Sequence, residues 1–479
     1  MTLTGSVTFE RVGVDLRGLG AAPPQNQPAR GIVVTIQDAR GEVLARTVTS
    51  QSGDFTTTFT TSSSTVSVVA YAKTLDPPIQ VEDNTDGDSV YGVMRDVPAV
   101  SGGASLSIPS GWTGTSFTAN RRLAAPFAIL DTMSSAARAF TSVRPVVFPM
   151  LKVNWSPKNV PQSGDKARGF IGTSHFAPSD NQLYILGKDG VDTDEFDTHV
   201  IAHEWGHFYQ SNISRSDSPG GRHGPGDVLD PRVAFGEGWG NALAAMVLPT
   251  TSYVDTSWSS SGLRSFGFDL ESAPTPTDDP NPSAFSEASV MRTLYDFYDS
   301  NADGAFDRTA LGLGPIHDAM VADKTTAGLI TLASFVEKLK RGTSQAVAID
   351  AVLAHSSIGP ITNQWGDGDA QLRNMFTYAV SLPWSGSVAL GAGHPSNSWQ
   401  QNQYYLFEGT GGAVTVSATA PKDVVLVASS GGQRLGWADN TQSGTETLSV
   451  MTQAGRWYVV VLTGFGEGTG DYDVSVSIR

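Results

Sequence analysis

The sequence contains no cysteine. Disulfides are therefore excluded, and so is any thiolate metal site. A tightly held transition metal would have to use histidine and carboxylate instead. Histidine is itself scarce, with eight in 479 residues, so two at a ligand spacing stand out. Basic residues are also few: 31 Lys and Arg stand against 47 Asp and Glu, for a net charge of -16. They form no basic block, which disfavours nucleic acid and anionic membrane as partners. No apolar run approaches the ~18 residues of a membrane span, and the opening residues lack an apolar signal core. The expectation is a chain with no membrane span.

Glycine (51) and proline (26) are plentiful, which fits many turns and a large share of β structure. The length suits two to four domains. Residues 1–100 read as β. Ile32, Val34 and Ile36 alternate with Val33, Thr35 and Gln37, and turns fall at Asp38–Gly41 and Ser52–Asp54. Residues 101–118 are rich in Gly, Ser and Thr and read as a linker. From Arg122 the period changes to helical, and mixed α and β patterning continues over 119–390. Residues 396–479 return to short strands, with Val474, Val476 and Ile478 alternating.

The segment DEFDTHVIAHEWGHFYQS (194–211) reads as a helix with an acidic first turn, which suits the helix dipole. His203 and His207 are spaced i, i+4 and project from one side. Two ligands of one tetrahedral ion need that geometry. Glu204 lies about 100° round the helix. There it can reach a water at the ion without binding the ion itself, as a general base does. The expected cofactor is Zn2+. The residues three and six past His207 are Gln210 and Ile213, so the H-E-x-x-H-x-x-G-x-x-H pattern of metzincins is absent. A third ligand has to come from elsewhere. Glu237 lies in AFGEGWGNALAAMV, which reads as a second helix, and Asp227 and Asp230 are its rivals.

HEWGH followed by GEGWGN (236–241) resembles the gluzincins, the thermolysin-like zinc metallopeptidases. The resemblance implies that Glu237 completes the site. It also places Asn241 four residues on, where the family has an Asp that holds a ligand His. It assigns the strand Leu183–Leu186 as the cleft edge that pairs with extended substrate. The stretch between His207 and Glu237 is longer than in thermolysin and Gly-rich, so it reads as a loop, and it contains His223. By the same resemblance His223 takes the catalytic role of steadying the oxyanion. His199, one turn before His203, reads as structural.

Two flanking segments carry their own likenesses. GIVVTIQDARGEVLARTVTSQSGDFTTTF resembles the transthyretin-like or carboxypeptidase-regulatory modules. GRWYVVVLTGFGEGTGDYDVSVSI is similar to bacterial pre-peptidase C-terminal domains. The expected fold class is multidomain α+β: a β-sandwich, a zincin-type α+β catalytic domain and a second β-sandwich. Asp299, Asn301, Asp303 and Asp307 fit the first part of a calcium loop, with Gly304 at its turn and Ala310 where a Glu would close it. Ca2+ is therefore expected as a second ion. The expected activity is zinc-dependent endopeptidase hydrolysis of protein or peptide, by a secreted monomer. The rivals are a binding protein with an inert peptidase module and a zinc hydrolase of a non-peptide bond.

Overall fold

The computed structural model describes residues 1–118, 121–301, 304–379 and 381–479. Among the described residues the chain is α+β, with many strands and eight α-helices. These are α1 (Ala125–Thr141), α2 (Thr198–Ile213), α3 (Pro231–Val247), α4 (Glu287–Tyr298), α5 (Leu313–Asp323), α6 (Leu332–Gly342), α7 (Ala346–His355) and α8 (Ala370–Met375). They group into two units, residues 1–212 with 243–270 and residues 213–242 with 271–479.

In the first unit a nine-stranded sheet runs in the order His175–Ala177, Gln182–Ile185, Leu151–Trp155, Pro78–Asp83, Thr65–Leu75, Ile32–Gln37, Val43–Val48, with Ser89–Val90 also pairing to Pro78–Asp83 and Gly92–Pro98 to Thr65–Leu75. Its middle strands are β-branched and buried; Ile32, Val33, Val34 and Ile36 are all core residues. The sequence patterning sets a boundary near residue 100, yet this sheet runs across it. Leu151–Trp155 pairs in parallel with Pro78–Asp83, from Leu151↔Ile79 to Asn154↔Glu82. Parallel partners lie far apart in the chain, and a short apolar run does not reveal its partner.

Helix α1 buries Phe127, Leu130, Met133 and Phe140. On its other side Asp131 takes ion pairs from Arg11 at 3.1 Å and Arg30 at 2.8 Å. The Phe140 ring lies 4.4 Å from Tyr209 and 6.0 Å from Trp205 of α2. Both α2 aromatics are fully buried. Each such aromatic pair contributes about 0.5–1.5 kcal/mol beyond its buried area. One side of α2 is thus fixed by packing. A four-stranded sheet, Gly187–Lys188, Asp192–Thr193, Ser252–Ser259 and Gly262–Asp269, belongs to the same unit.

In the second unit two sheets pack face to face. One holds Phe376–Ala379, Asn402–Glu408, Trp457–Gly464, Val424–Ser430 and Gln433–Ala438. The other holds Trp384–Gly391, Asp471–Ile478, Ala413–Ala420 and Gly444–Met451. Tyr405, Phe407, Leu426 and Val460 of the first share one core with Val416, Leu448, Val474 and Ile478 of the second. This is a β-sandwich, and it begins at Phe376, ahead of the boundary at 396 that the patterning gives. No helix among the described residues is long and apolar enough to cross a membrane.

Candidate metal centre

Helix α2 begins on a buried anchor. The Asp197 carboxylate accepts from the Thr256 N–H at 2.7 Å and from its hydroxyl at 2.9 Å. Burial pushes the Asp197 carboxyl well above its usual range. In the first turn of α2, His199 Nε2 meets the Thr250 carbonyl at 2.9 Å, and burial lowers this imidazole to about 4. It is a neutral structural donor. His203 and His207 then face each other, with their Nε2 atoms 3.0 Å apart and their rings at 84°. His203 is buried and lies edge-on to the Tyr253 ring, 6.3 Å between centroids. Glu204 is 9% exposed, and its Oε2 accepts the Phe176 backbone N–H at 2.8 Å.

That last bond corrects one expectation. Gln182–Ile185 is an interior strand, paired with Leu151–Trp155 on one side and with His175–Ala177 on the other. Its backbone groups are already in ladders, so Leu183–Leu186 cannot be the open edge. The outer strand is His175–Ala177, and it is the strand that touches Glu204.

Helix α3 starts at Pro231, behind an Asp230 cap that accepts from the Arg232 N–H at 2.9 Å. Asp230 also accepts from Tyr404 Oη at 2.6 Å and pairs with the Arg232 side chain. This rival ligand is therefore occupied, and Asp227 is exposed. Glu237 follows at 9% exposure. Its Oε2 lies 3.4 Å from His223 Nε2, while His223 Nδ1 lies 2.8 Å from Glu287 Oε2. The Asn241 amide donates to Glu287 Oε1 at 2.7 Å. A β-carbon at Gly238 would come within 2.6 Å of Val290, so glycine here lets α4, which carries Glu287, approach α3 closely.

His203, His207 and Glu237 each offer one ligand atom, and these atoms all lie within 4.8 Å of one another. The set fits zinc by its chemistry, two imidazoles and a carboxylate. The 3.0 Å between the two Nε2 atoms is close to the separation of about 3.3 Å for donors on one tetrahedral zinc. Asn241 binds Glu287, a residue that sequence reasoning missed. Its only signal was an acid in the first turn of a helix. In the 299–310 loop the Asn301 N–H donates to Asp299 Oδ2 at 3.0 Å and Asp307 is buried. Asp303 lies outside the described residues.

No family model matches the chain, and no curated protein matches it. Among solved structures it is similar to the pre-peptidase C-terminal domain of a collagenase from Bacillus anthracis, at 11% identity and TM-score 0.18, over 22% of this chain and 94% of that one. It is similar to PliG of Salmonella Typhimurium, a periplasmic inhibitor of g-type lysozyme, at 10% identity and TM-score 0.15, over 22% of this chain and 98% of that one. It is also similar to a carbohydrate-binding module, CBM36, solved with calcium and xylotriose, at 18% identity and TM-score 0.14, over 21% of this chain and 88% of that one. The β-sandwich stands on the pairing and packing of its own two sheets.

Proposed function

We propose that the chain is a zinc-dependent endopeptidase of the gluzincin type, with a zincin-type catalytic region that acts on protein or peptide outside the cell. The convergence of His203, His207 and Glu237, with Glu204 beside the histidine pair in sequence, is the observation that carries the reading. Those three residues would hold the ion. When bound, zinc supplies Lewis acidity toward a carbonyl and toward water.

The remaining steps belong to the chain's own side chains. Glu204 is held at one oxygen by the Phe176 N–H. Its other oxygen takes the proton of the attacking water and then delivers it to the leaving amine. The outer strand His175–Ala177 lies beside Glu204, its Phe176 N–H already bound to that carboxylate, so an extended substrate on this side of the sheet would run past Glu204. His223 is oriented by Glu287, which is in turn held by Asn241. Those contacts hold the imidazole beside Glu237, with its Nε2 3.4 Å from Glu237 Oε2, and from that position next to the ion we assign it the role of oxyanion donor.

The test is cleavage of a denatured protein mixture by the full chain before and after chelation. Hydrolysis should vanish on chelation and return with one equivalent of zinc. A zinc-loaded protein that cleaves no peptide bond in the mixture would refute the activity and leave a binding role.

A further inference from the structure

A second group of carboxylates lies in the first unit. Asp192, Asp194 and Asp255 each present an oxygen, and the three oxygens lie within 4.8 Å of one another. Asp194 is 3% exposed, while Asp192 and Asp255 are half-buried. Asp194 Oδ2 accepts from the Ser174 hydroxyl. Its Oδ1 is fully buried with no hydrogen-bond partner, and so is Oδ1 of Asp192. Two buried acceptors left open beside a third carboxylate are costly, because each has lost water and gained a like-charged neighbour. Arg264 is exposed and its Nε donates to Ser257 Oγ at 2.9 Å, so it does not fill the gap.

We propose that Asp192, Asp194 and Asp255 bind a calcium ion that fastens the strand Ser252–Ser259 to the start of α2. The donors are all hard oxygens, with no imidazole, which selects against zinc. Three protein carboxylates gathered at one point suit calcium, because magnesium usually keeps several waters and takes only one or two carboxylates. The half-exposed Asp192 and Asp255 leave a solvent side on which water completes the six to eight ligands calcium takes.

The location gives the ion a task. Asp192 pairs with Ser257 of the strand that carries Asp255. Asp194 opens the turn Asp194–Phe196 that leads into α2, and Asp197 already bonds Thr256. The ion would tie both sides of this joint, nine residues ahead of His203.

The experiment is calcium titration of the metal-stripped full chain, read by calorimetry and by thermal midpoint, with magnesium as a parallel arm. Wild type should bind calcium and melt higher with it, and magnesium should shift it less. Asp255→Asn and Asp194→Asn should weaken calcium about tenfold or more. Asp255→Asn is the safer variant to fold because that residue is half-buried. Asp299→Asn, in the 299–310 loop, should leave this binding intact. No calcium-dependent shift in wild type overturns the proposal. So does a shift that survives Asp255→Asn and is lost in Asp299→Asn.

Discussion

Helices α2 and α3 hold their functional side chains by different means. Helix α2 is set from behind: Trp205 and Tyr209 pack on Phe140, while at the functional face the Phe176 N–H holds Glu204 and the Tyr253 ring lies edge-on to His203. Helix α3 is set from the front. Glu237, His223, Glu287 and Asn241 form a run of polar contacts drawn from α3, a loop and α4. The first arrangement depends on volume and should tolerate changes in polarity at a distance. The second depends on hydrogen bonds, so a single lost partner should propagate along it.

The largest expected effect belongs to the α2 side. Glu204→Gln should retain zinc and lose about 10²- to 10⁴-fold in kcat, the usual contribution of a general base. A variant with unchanged kcat would remove Glu204 from the chemistry. Next comes the packing behind it. Trp205→Ala should lower stability by about 3–5 kcal/mol in denaturant unfolding. A loss below about 1 kcal/mol would mean that α2 is not held from behind.

The α3 side should respond through affinity. Glu287→Ala removes the acceptor shared by His223 and Asn241 and should cost about 10- to 100-fold in zinc affinity or turnover. It should leave the thermal midpoint nearly unchanged. If stability falls and zinc binding does not, the polar run is only structural.

The smallest effect tests the α2 start. His199 titrates near 4 when folded against an ordinary 6.5. A depressed pKa means that the unfolded chain binds the extra proton first. The stabilisation is therefore present above about 6.5 and is lost as the pH falls toward 4. At pH 5 the loss is about 1–2 kcal/mol. His199→Gln should flatten that part of the stability curve. An unchanged slope would show His199 to be protonated in the fold.

The same contrast explains what could be read before the fold was known. The α2 residues share one helix, so the i, i+4 spacing of His203 and His207 already carries their geometry. Glu237 came from likeness to a family pattern, and Glu287 showed only as an acid in a helix's first turn, because it lies 50 positions beyond Glu237 in the chain. Alternation at Val474, Val476 and Ile478 announced a half-buried strand. No local signal announced that Leu151–Trp155 would pair with Pro78–Asp83. The Asp192, Asp194 and Asp255 group escaped for the same reason, since its third member is on a distant strand.

The most direct test is zinc content by elemental analysis after equilibration with equimolar zinc, for wild type and Glu237→Ala. Wild type should hold one zinc per chain and Glu237→Ala far less, with the fold intact by circular dichroism. Equal zinc in both proteins would contradict the assignment of Glu237 as the third ligand, and with it the gluzincin reading.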